Sequence, residues 1–130
     1  MKNCTDIDQS KVLAEILPQE SADLWWTIIQ PKKYEGWELV NDGESFTTLS
    51  FAKQEHIALA SYKEIPAWSL SALLNHLKQR YYVKLEHDGV SWGITCIEHD
   101  TKKEYNLYMF DEPVDACWGM MLRLNKDGLL

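Results

Sequence analysis

The feature that most constrains this chain is an Asp88-Gly89 pair between two segments of alternating residues, YYVKLEH and VSWGITCI. Asp-Gly favours a two-residue β-turn, and the flanking alternation favours antiparallel strands. A slip of one residue would bring apolar side chains opposite Gly93 and Thr95, so turn and pattern predict the same register. The predicted opposing pairs share one mostly apolar face: His87 with Val90, Leu85 with Trp92, Val83 with Ile94, and Tyr81 with Cys96. The opposite, more polar face is predicted to carry Glu86 with Ser91, Lys84 with Gly93, and Tyr82 with Thr95.

Two Glu-His-Asp triplets, 86–88 and 98–100, flank this hairpin. The predicted register places His99 nine residues of strand, roughly 30 Å, from the position opposite His87. Zinc ligands lie about 2.0–2.3 Å from one ion, so the two histidines are not expected to share a metal. Cys96-x-x-His99 could supply half a zinc site, but no second ligand pair stands at a suitable spacing. We therefore predict no metal site and no cofactor, and we expect Cys96 to be buried.

Helices are predicted on either side of the strands. Apolar residues at helical spacing predict a first helix that begins at Asp8 or Ser10 and ends at Pro18. Ser69 is the predicted N-cap of a second helix. A third is expected to begin near residues 111–113 and to end at Gly128. Further strands are predicted in LWWTIIQP, YEGWELVNDG, ESFTTLSFA and EHIALASY, and in EYNLYMF after the hairpin.

This order predicts an α+β protein with about three helices and antiparallel sheets, in the sequence α-β(3–4)-α-β-β-β-α. A chain of 130 residues is expected to form a single domain, 1–130. The segments KVLAEILPQ and SLSALLNHL resemble each other, and aromatic strands follow each of them. An internal α-βββ duplication with halves 1–64 and 65–130 would also fit.

Charge and cysteine content narrow the classes of function. Twenty acidic residues oppose thirteen basic ones, and a net charge of −7 disfavours nucleic-acid binding. The three cysteines form no CxxC motif, the first residues contain no basic segment followed by an apolar run, and the apolar runs are too short to span a membrane. We therefore predict a reduced, cytoplasmic protein that does not bind membranes.

Aromatic residues supply the candidate binding surface, since tryptophan is common at protein interfaces. The third helix has an apolar stripe wider than one core-facing side needs, and a helix exposed in this way could form a symmetric dimer. Catalysis would require Cys96 or Cys117 to meet His56 or His76 in the fold. The candidate interaction residues are Trp25, Trp26, Trp37, Trp68, Trp118 and Met120.

Three segments together carry a resemblance: AEILPQESADLWW, IPAWSLSALLNHL and EPVDACWGMMLRLNKDGLL. They resemble a group of small uncharacterised proteins encoded in prophage-like and other mobile elements of anaerobic gut bacteria. The resemblance covers about a third of the chain and implies a genomic setting, without an activity or a functional residue.

The leading hypothesis is a non-catalytic accessory protein that binds another protein, as an inhibitor or an immunity protein does. A small enzyme that uses a histidine with a carboxylate or a cysteine is the alternative. A protein associated with nucleic acid is the third. No catalytic or phosphate-binding motif is present to favour the second or the third.

Overall fold

The computed structural model describes residues 2–30, 37–41 and 61–130. Within these residues the chain forms three α-helices and two three-stranded antiparallel sheets, which confirms the α+β class. The predicted strand in 44–52 and most of EHIALASY lie outside the described residues. The helices are α1 (Ile7–Ala14), α2 (Leu70–Lys78) and α3 (Pro113–Lys126), and the strands are β1 (Leu24–Gln30), β2 (Trp37–Asn41), β3 (Ser61–Ala67), β4 (Tyr81–His87), β5 (Trp92–Glu98) and β6 (Glu104–Phe110).

Contacts divide the chain into two compact units, Asp6–Trp68 and Met1–Thr5 with Ser69–Leu130. Each unit contains a helix that precedes three antiparallel strands. The described sheet orders differ, β2-β1-β3 in the first unit and β4-β5-β6 in the second. The single domain and the internal duplication therefore stay predictions. Among the described helices, none is long and apolar enough to cross a membrane.

In the first unit, α1 begins earlier than predicted. Asp6, rather than Asp8 or Ser10, is the N-cap: its side chain accepts a hydrogen bond from the Gln9 backbone amide at 2.8 Å. The Gln9 side chain accepts one from the Asp6 amide at 3.1 Å, and this reciprocal pair fixes the first turn. The helix packs on β3 and buries Leu13 completely.

The second unit places α2 and α3 on one side of the β4-β5-β6 sheet, which we call the inner face. Ser69 caps α2 as predicted, accepting from the Ala72 amide at 3.2 Å. Helix α3 ends before Gly128, whose positive φ of 71° suits a glycine after a helix. The buried residues of α3 span an arc of about 160° at 100° per residue. They are Pro113, Val114, Ala116, Cys117, Met120, Met121 and Leu124.

Residues 2–5 belong to this second unit. Cys4 forms an isolated antiparallel bridge with Ser69, and the Leu70 amide donates to the Asn3 carbonyl at 3.4 Å. Lys2 Nζ lies 2.7 Å from Asp115 Oδ1 on α3. Residues 2–5 are thus held both by the start of α2 and by α3.

The β4–β5 hairpin is present, but the predicted pairing is wrong by two residues. His87 pairs with Trp92, and the connection has four residues, 88–91, instead of two. Asp88 Oδ1 accepts from the Val90 amide at 2.8 Å and from the Ser91 amide at 2.7 Å, which stabilises the longer loop. Because a shift of two residues preserves the alternation, the predicted faces within β4 and β5 are still correct, whereas Val90, predicted opposite His87, lies in the loop and is exposed. Cys96 is fully buried on the inner face, as expected.

Candidate interaction face

The opposite side of the same sheet has no helix from the second unit packed on it, and we call it the outer face. Its side chains form three rows across the strands, set by the pairing of β5 with β4 and β6. The middle row is held by a hydrogen bond of 2.6 Å from Thr95 Oγ1 to Asn106 Oδ1. The rows are Tyr82–Ile97–Glu104, Lys84–Thr95–Asn106 and Glu86–Gly93–Tyr108.

The Cδ1–Cε1 edge of the Tyr108 ring lies over the backbone of Gly93. A Cβ atom added at Gly93 would meet Tyr108 Cδ1 at 2.7 Å and Cε1 at 3.2 Å, so only glycine permits this close approach. The tyrosine keeps 67% of its surface exposed. The side of the ring away from Gly93 is therefore an aromatic platform open to solvent.

The position of Tyr108 follows from an irregularity in β6. Ile94 pairs with Leu107, but Trp92 pairs with Phe110, so β6 contains one extra residue at this end. Met109 adopts a φ of +72°, and its side chain is 85% exposed. Such a bulge changes the direction of the strand and of the side chains beside it.

Tyr82 is the second exposed aromatic residue of the outer face, with 58% of its surface accessible. Its ring makes an edge contact with His99, with 4.3 Å between the ring centroids. Lys102 Nζ lies 5.3 Å from the same ring, within the range of a cation–π interaction. Part of this ring is thus already occupied by neighbours, unlike the open side of Tyr108.

The two ends of the outer face carry different charged side chains. Glu86 and Asp88 lie at the Tyr108 end, whereas Lys102 and Glu104 lie at the Tyr82 end. Lys84 Nζ lies 3.2 Å from Glu86 Oε1, but both side chains are more than 60% exposed, so this pair contributes little. Backbone hydrogen bonds from the loop lower the pKa of Asp88, which is ionised at neutral pH.

Two shallow cavities open on this face. One, of about 250 Å³, lies beside Tyr108 and Gly93 and is bordered by Glu86, Asp88 and Thr95. The other, of about 410 Å³, continues from Tyr108 towards Tyr82. Because they share Glu86, Thr95 and Tyr108, they form one continuous depression across the sheet.

The structure distributes the predicted interaction residues differently. Trp68 and Met120 have no exposed surface, so the prediction that they line a binding surface is wrong for these two. The Trp68 indole donates to Ser21 Oγ at 2.9 Å, and Met120 lies within the buried arc of α3.

The remaining predicted tryptophans are not gathered on one described surface. Trp25, Trp26 and Trp118 are partly buried, and the side chain of Trp37 lies outside the described set. The buried indole nitrogen of Trp118 has no hydrogen-bond partner among the described residues. These tryptophans stay candidates, but no described contact joins them into a site.

The cysteines and histidines do not form a catalytic pair in the described part of the chain. Burial raises the pKa of Cys96 and of Cys117 to about 12, so both are protonated thiols at neutral pH. Burial lowers the pKa of His76. His56 lies outside the described residues, so the pairs that include it stay untested.

The two triplet histidines occupy opposite ends of the hairpin. His87 makes an edge contact with Trp92, with 5.1 Å between the ring centroids, whereas His99 contacts Tyr82. In the observed register, seven residues of strand separate Trp92 from His99, roughly 23 Å at 3.3 Å per residue. No group of three potential metal ligands converges within residues 2–30, 37–41 and 61–130.

Sequence reasoning did not select the two exposed tyrosines of the outer face. Alternation in β4 already placed Tyr82 with Lys84 and Glu86 on the polar side of the hairpin, so a signal for that residue was present. Tyr108 is different, because its exposure depends on the bulge and on the close approach to Gly93.

No protein-family model, curated protein or solved structure matches this chain. The resemblance to proteins of prophage-like elements therefore stays a prediction. The outer face is interpreted from its own geometry and chemistry.

Proposed function

We propose that this chain is a non-catalytic accessory protein that binds another protein through the outer face of its second sheet, in the manner of an inhibitor or immunity protein. The observation that carries the proposal is the Tyr108 platform, an exposed aromatic ring whose edge packs on Gly93 beside a continuous depression. Tyrosine is one of the residues that most often dominate binding energy at interfaces. It has few rotatable bonds, and packing on Gly93 restricts them further.

Three exposed apolar side chains lie at the same end of this sheet. Val90 in the hairpin loop is 88% exposed, Tyr108 67% and Met109 85%. Burying each against a partner would contribute about 1.5–3 kcal/mol before the costs of association. A sheet face that only contacts water needs none of these residues, so their grouping favours a partner at this end.

The size of the face indicates how far such a partner must extend. Three strands about 4.8 Å apart and seven residues long offer roughly 300 Å². Stable interfaces bury about 800 Å² on each side, so the partner must also cover the hairpin loop and the bulge. This extension includes Val90 and Met109.

Charge favours a basic partner. The outer face presents Glu86 and Asp88 at its Tyr108 end, and the whole chain carries a charge of −7. Such a charge accelerates encounter with a positively charged protein. A cytoplasmic location is part of the proposal and is supported by the three cysteines, all of which are thiols rather than disulfides.

Site-specific photocrosslinking tests this function. Tyr108 is replaced by p-benzoylphenylalanine, which keeps an aromatic ring, and the matched control carries the same group at Asn125, an exposed position on α3. Both proteins are irradiated in the cells that naturally carry the gene. The expected result is a discrete adduct with another protein at position 108 and not at position 125.

A captured protein supports the proposal only if, once purified, it forms a complex with this chain that Tyr108→Leu abolishes. The absence of an adduct at position 108 would refute the proposal. So would equal adducts at both positions, or an adduct formed only with a second copy of this chain.

A further inference from the structure

We infer that the depression beside Tyr108 receives an arginine side chain of the protein partner. This inference rests on the proposed function and specifies the chemistry that the outer face recognises. It commits to a basic segment whose guanidinium stacks on the open side of the Tyr108 ring and pairs with Glu86.

The aromatic platform and the carboxylates are correctly arranged for this side chain. Tyr108 lies on Gly93, and Gly93 is paired with Glu86 on the neighbouring strand, about 4.8 Å away. Asp88 borders the same cavity from the hairpin loop. A planar guanidinium can therefore contact the ring with its face while its edge donates hydrogen bonds to a carboxylate.

The cavity also fits in size and in the sign of its charge. A volume of about 250 Å³ accommodates a single side chain rather than a folded element. Two carboxylates, those of Glu86 and Asp88, border the cavity, and the imidazole of His87 lies beside them. A carboxylate ligand would be repelled by Glu86 and Asp88, whereas a cationic side chain would be attracted by both.

Lys84 is the competing cation, since its Nζ lies 3.2 Å from Glu86 Oε1. The lysine side chain is 70% exposed and that of the glutamate 61%, so the pair is weak and solvent-screened. An incoming guanidinium gains the Tyr108 ring in addition to the carboxylate. It is therefore able to displace Lys84, which can turn into solvent.

The test is an NMR titration of the full chain, uniformly labelled with ¹⁵N, at low salt. The probe is a synthetic decapeptide with a single arginine among glycine and serine residues. Matched peptides replace the arginine with citrulline, which has the same shape without the charge, or with lysine. Chemical shifts of Gly93, Thr95 and Asp88 report occupation of the depression.

Variants distinguish binding in this cavity from non-specific attraction of a basic peptide to an acidic protein. Glu86→Gln and Tyr108→Leu change the cavity beside Tyr108. Glu104→Gln is the matched control, because it removes the same charge from an exposed glutamate that borders the larger cavity but not the one beside Tyr108.

The expected result is a saturable shift at the depression with the arginine peptide. Affinity should fall at least fivefold with citrulline, with Glu86→Gln and with Tyr108→Leu, and it should stay within twofold with Glu104→Gln. The lysine peptide should bind more weakly than the arginine peptide.

Several results would overturn the inference. If the citrulline peptide binds as tightly as the arginine peptide, the positive charge is not recognised. If the lysine peptide binds as tightly as the arginine peptide, the planar guanidinium is not recognised. Equal losses in Glu86→Gln and Glu104→Gln, or shifts confined to residues 6–30, would indicate non-specific attraction to an acidic protein. If crosslinking at Tyr108 succeeds while the titration shows no binding, the proposed function stands and this inference falls.

Discussion

Gly119→Ala is expected to change the stability of the second unit with a sign that depends on Phe110. Alanine is favoured over glycine inside a helix by about 1 kcal/mol. At this position a new Cβ would lie 2.6 Å from Phe110 Cζ and 2.8 Å from Cε1. Ordinary carbon contacts are about 3.5–4.0 Å, so the ring or the helix must move by about 1 Å.

Overpacking of this kind typically costs about 1–3 kcal/mol. After the helical gain, we expect Gly119→Ala to lower the free energy of unfolding by about 1 kcal/mol in the natural chain. In a Phe110→Ala background the obstacle is gone, and the same substitution should raise the free energy of unfolding by about 1 kcal/mol. The coupling between the two sites is therefore expected to be about 2 kcal/mol.

Urea unfolding of the four proteins measures this coupling as a double-mutant cycle. The signal should come from backbone amides of β5, because the two units of the chain need not unfold together. If Gly119→Ala stabilises the natural chain as much as the Phe110→Ala variant, with a coupling below about 0.5 kcal/mol, the contact does not constrain the helix. That result would refute the reasoning.

Three further predictions concern the hairpin and its two faces. Gly93→Ala should displace the Tyr108 ring and remove the ring-current shift that it causes at residue 93. The free energy of unfolding should change by less than about 1 kcal/mol, because the exposed ring can turn into solvent. A retained ring-current shift would contradict this packing. Cys96 and Cys117 should not react with iodoacetamide at pH 8 until the chain is unfolded, because burial raises the pKa of both thiols to about 12. Peptide mapping by mass spectrometry measures the labelling, and rapid labelling of the native chain would contradict their burial. The pKa of Asp88 is lowered in the folded chain, so the stability from its loop hydrogen bonds is present above the unfolded pKa and is lost as pH falls through the folded pKa. NMR shifts of the loop amides should therefore titrate with a midpoint below the ordinary aspartate range. A midpoint at or above that range would contradict the hydrogen bonds.

The hairpin shows what alternation can and cannot predict. Side-chain direction has a period of two, so the pattern correctly placed Cys96 inside and Tyr82 outside. It carries no information on whether two or four residues form the connection. That choice depends on the hydrogen bonds of Asp88, which stabilise the longer loop.

The candidate face was harder to predict because its main residue depends on a distant contact. Strict alternation after Leu107 would turn Met109 inward, but the bulge exposes Met109 and brings Phe110 against Gly119 of α3. The same bulge leaves Tyr108 above Gly93. Residue type was also misleading, since Trp68 is completely buried although tryptophan is a common interface residue.

The position of residues 2–5 in the second unit has a consequence for biosynthesis. Lys2 and Asp115 are 113 positions apart, so at about 5–20 residues per second the first is made roughly 6–23 s before its partner. During that interval the segment 6–68 can complete its own contacts as it emerges from the ribosome. Asn3 and Cys4 can pair with Leu70 and Ser69 as soon as the start of α2 is made, whereas Lys2 reaches Asp115 only once α3 has been synthesised.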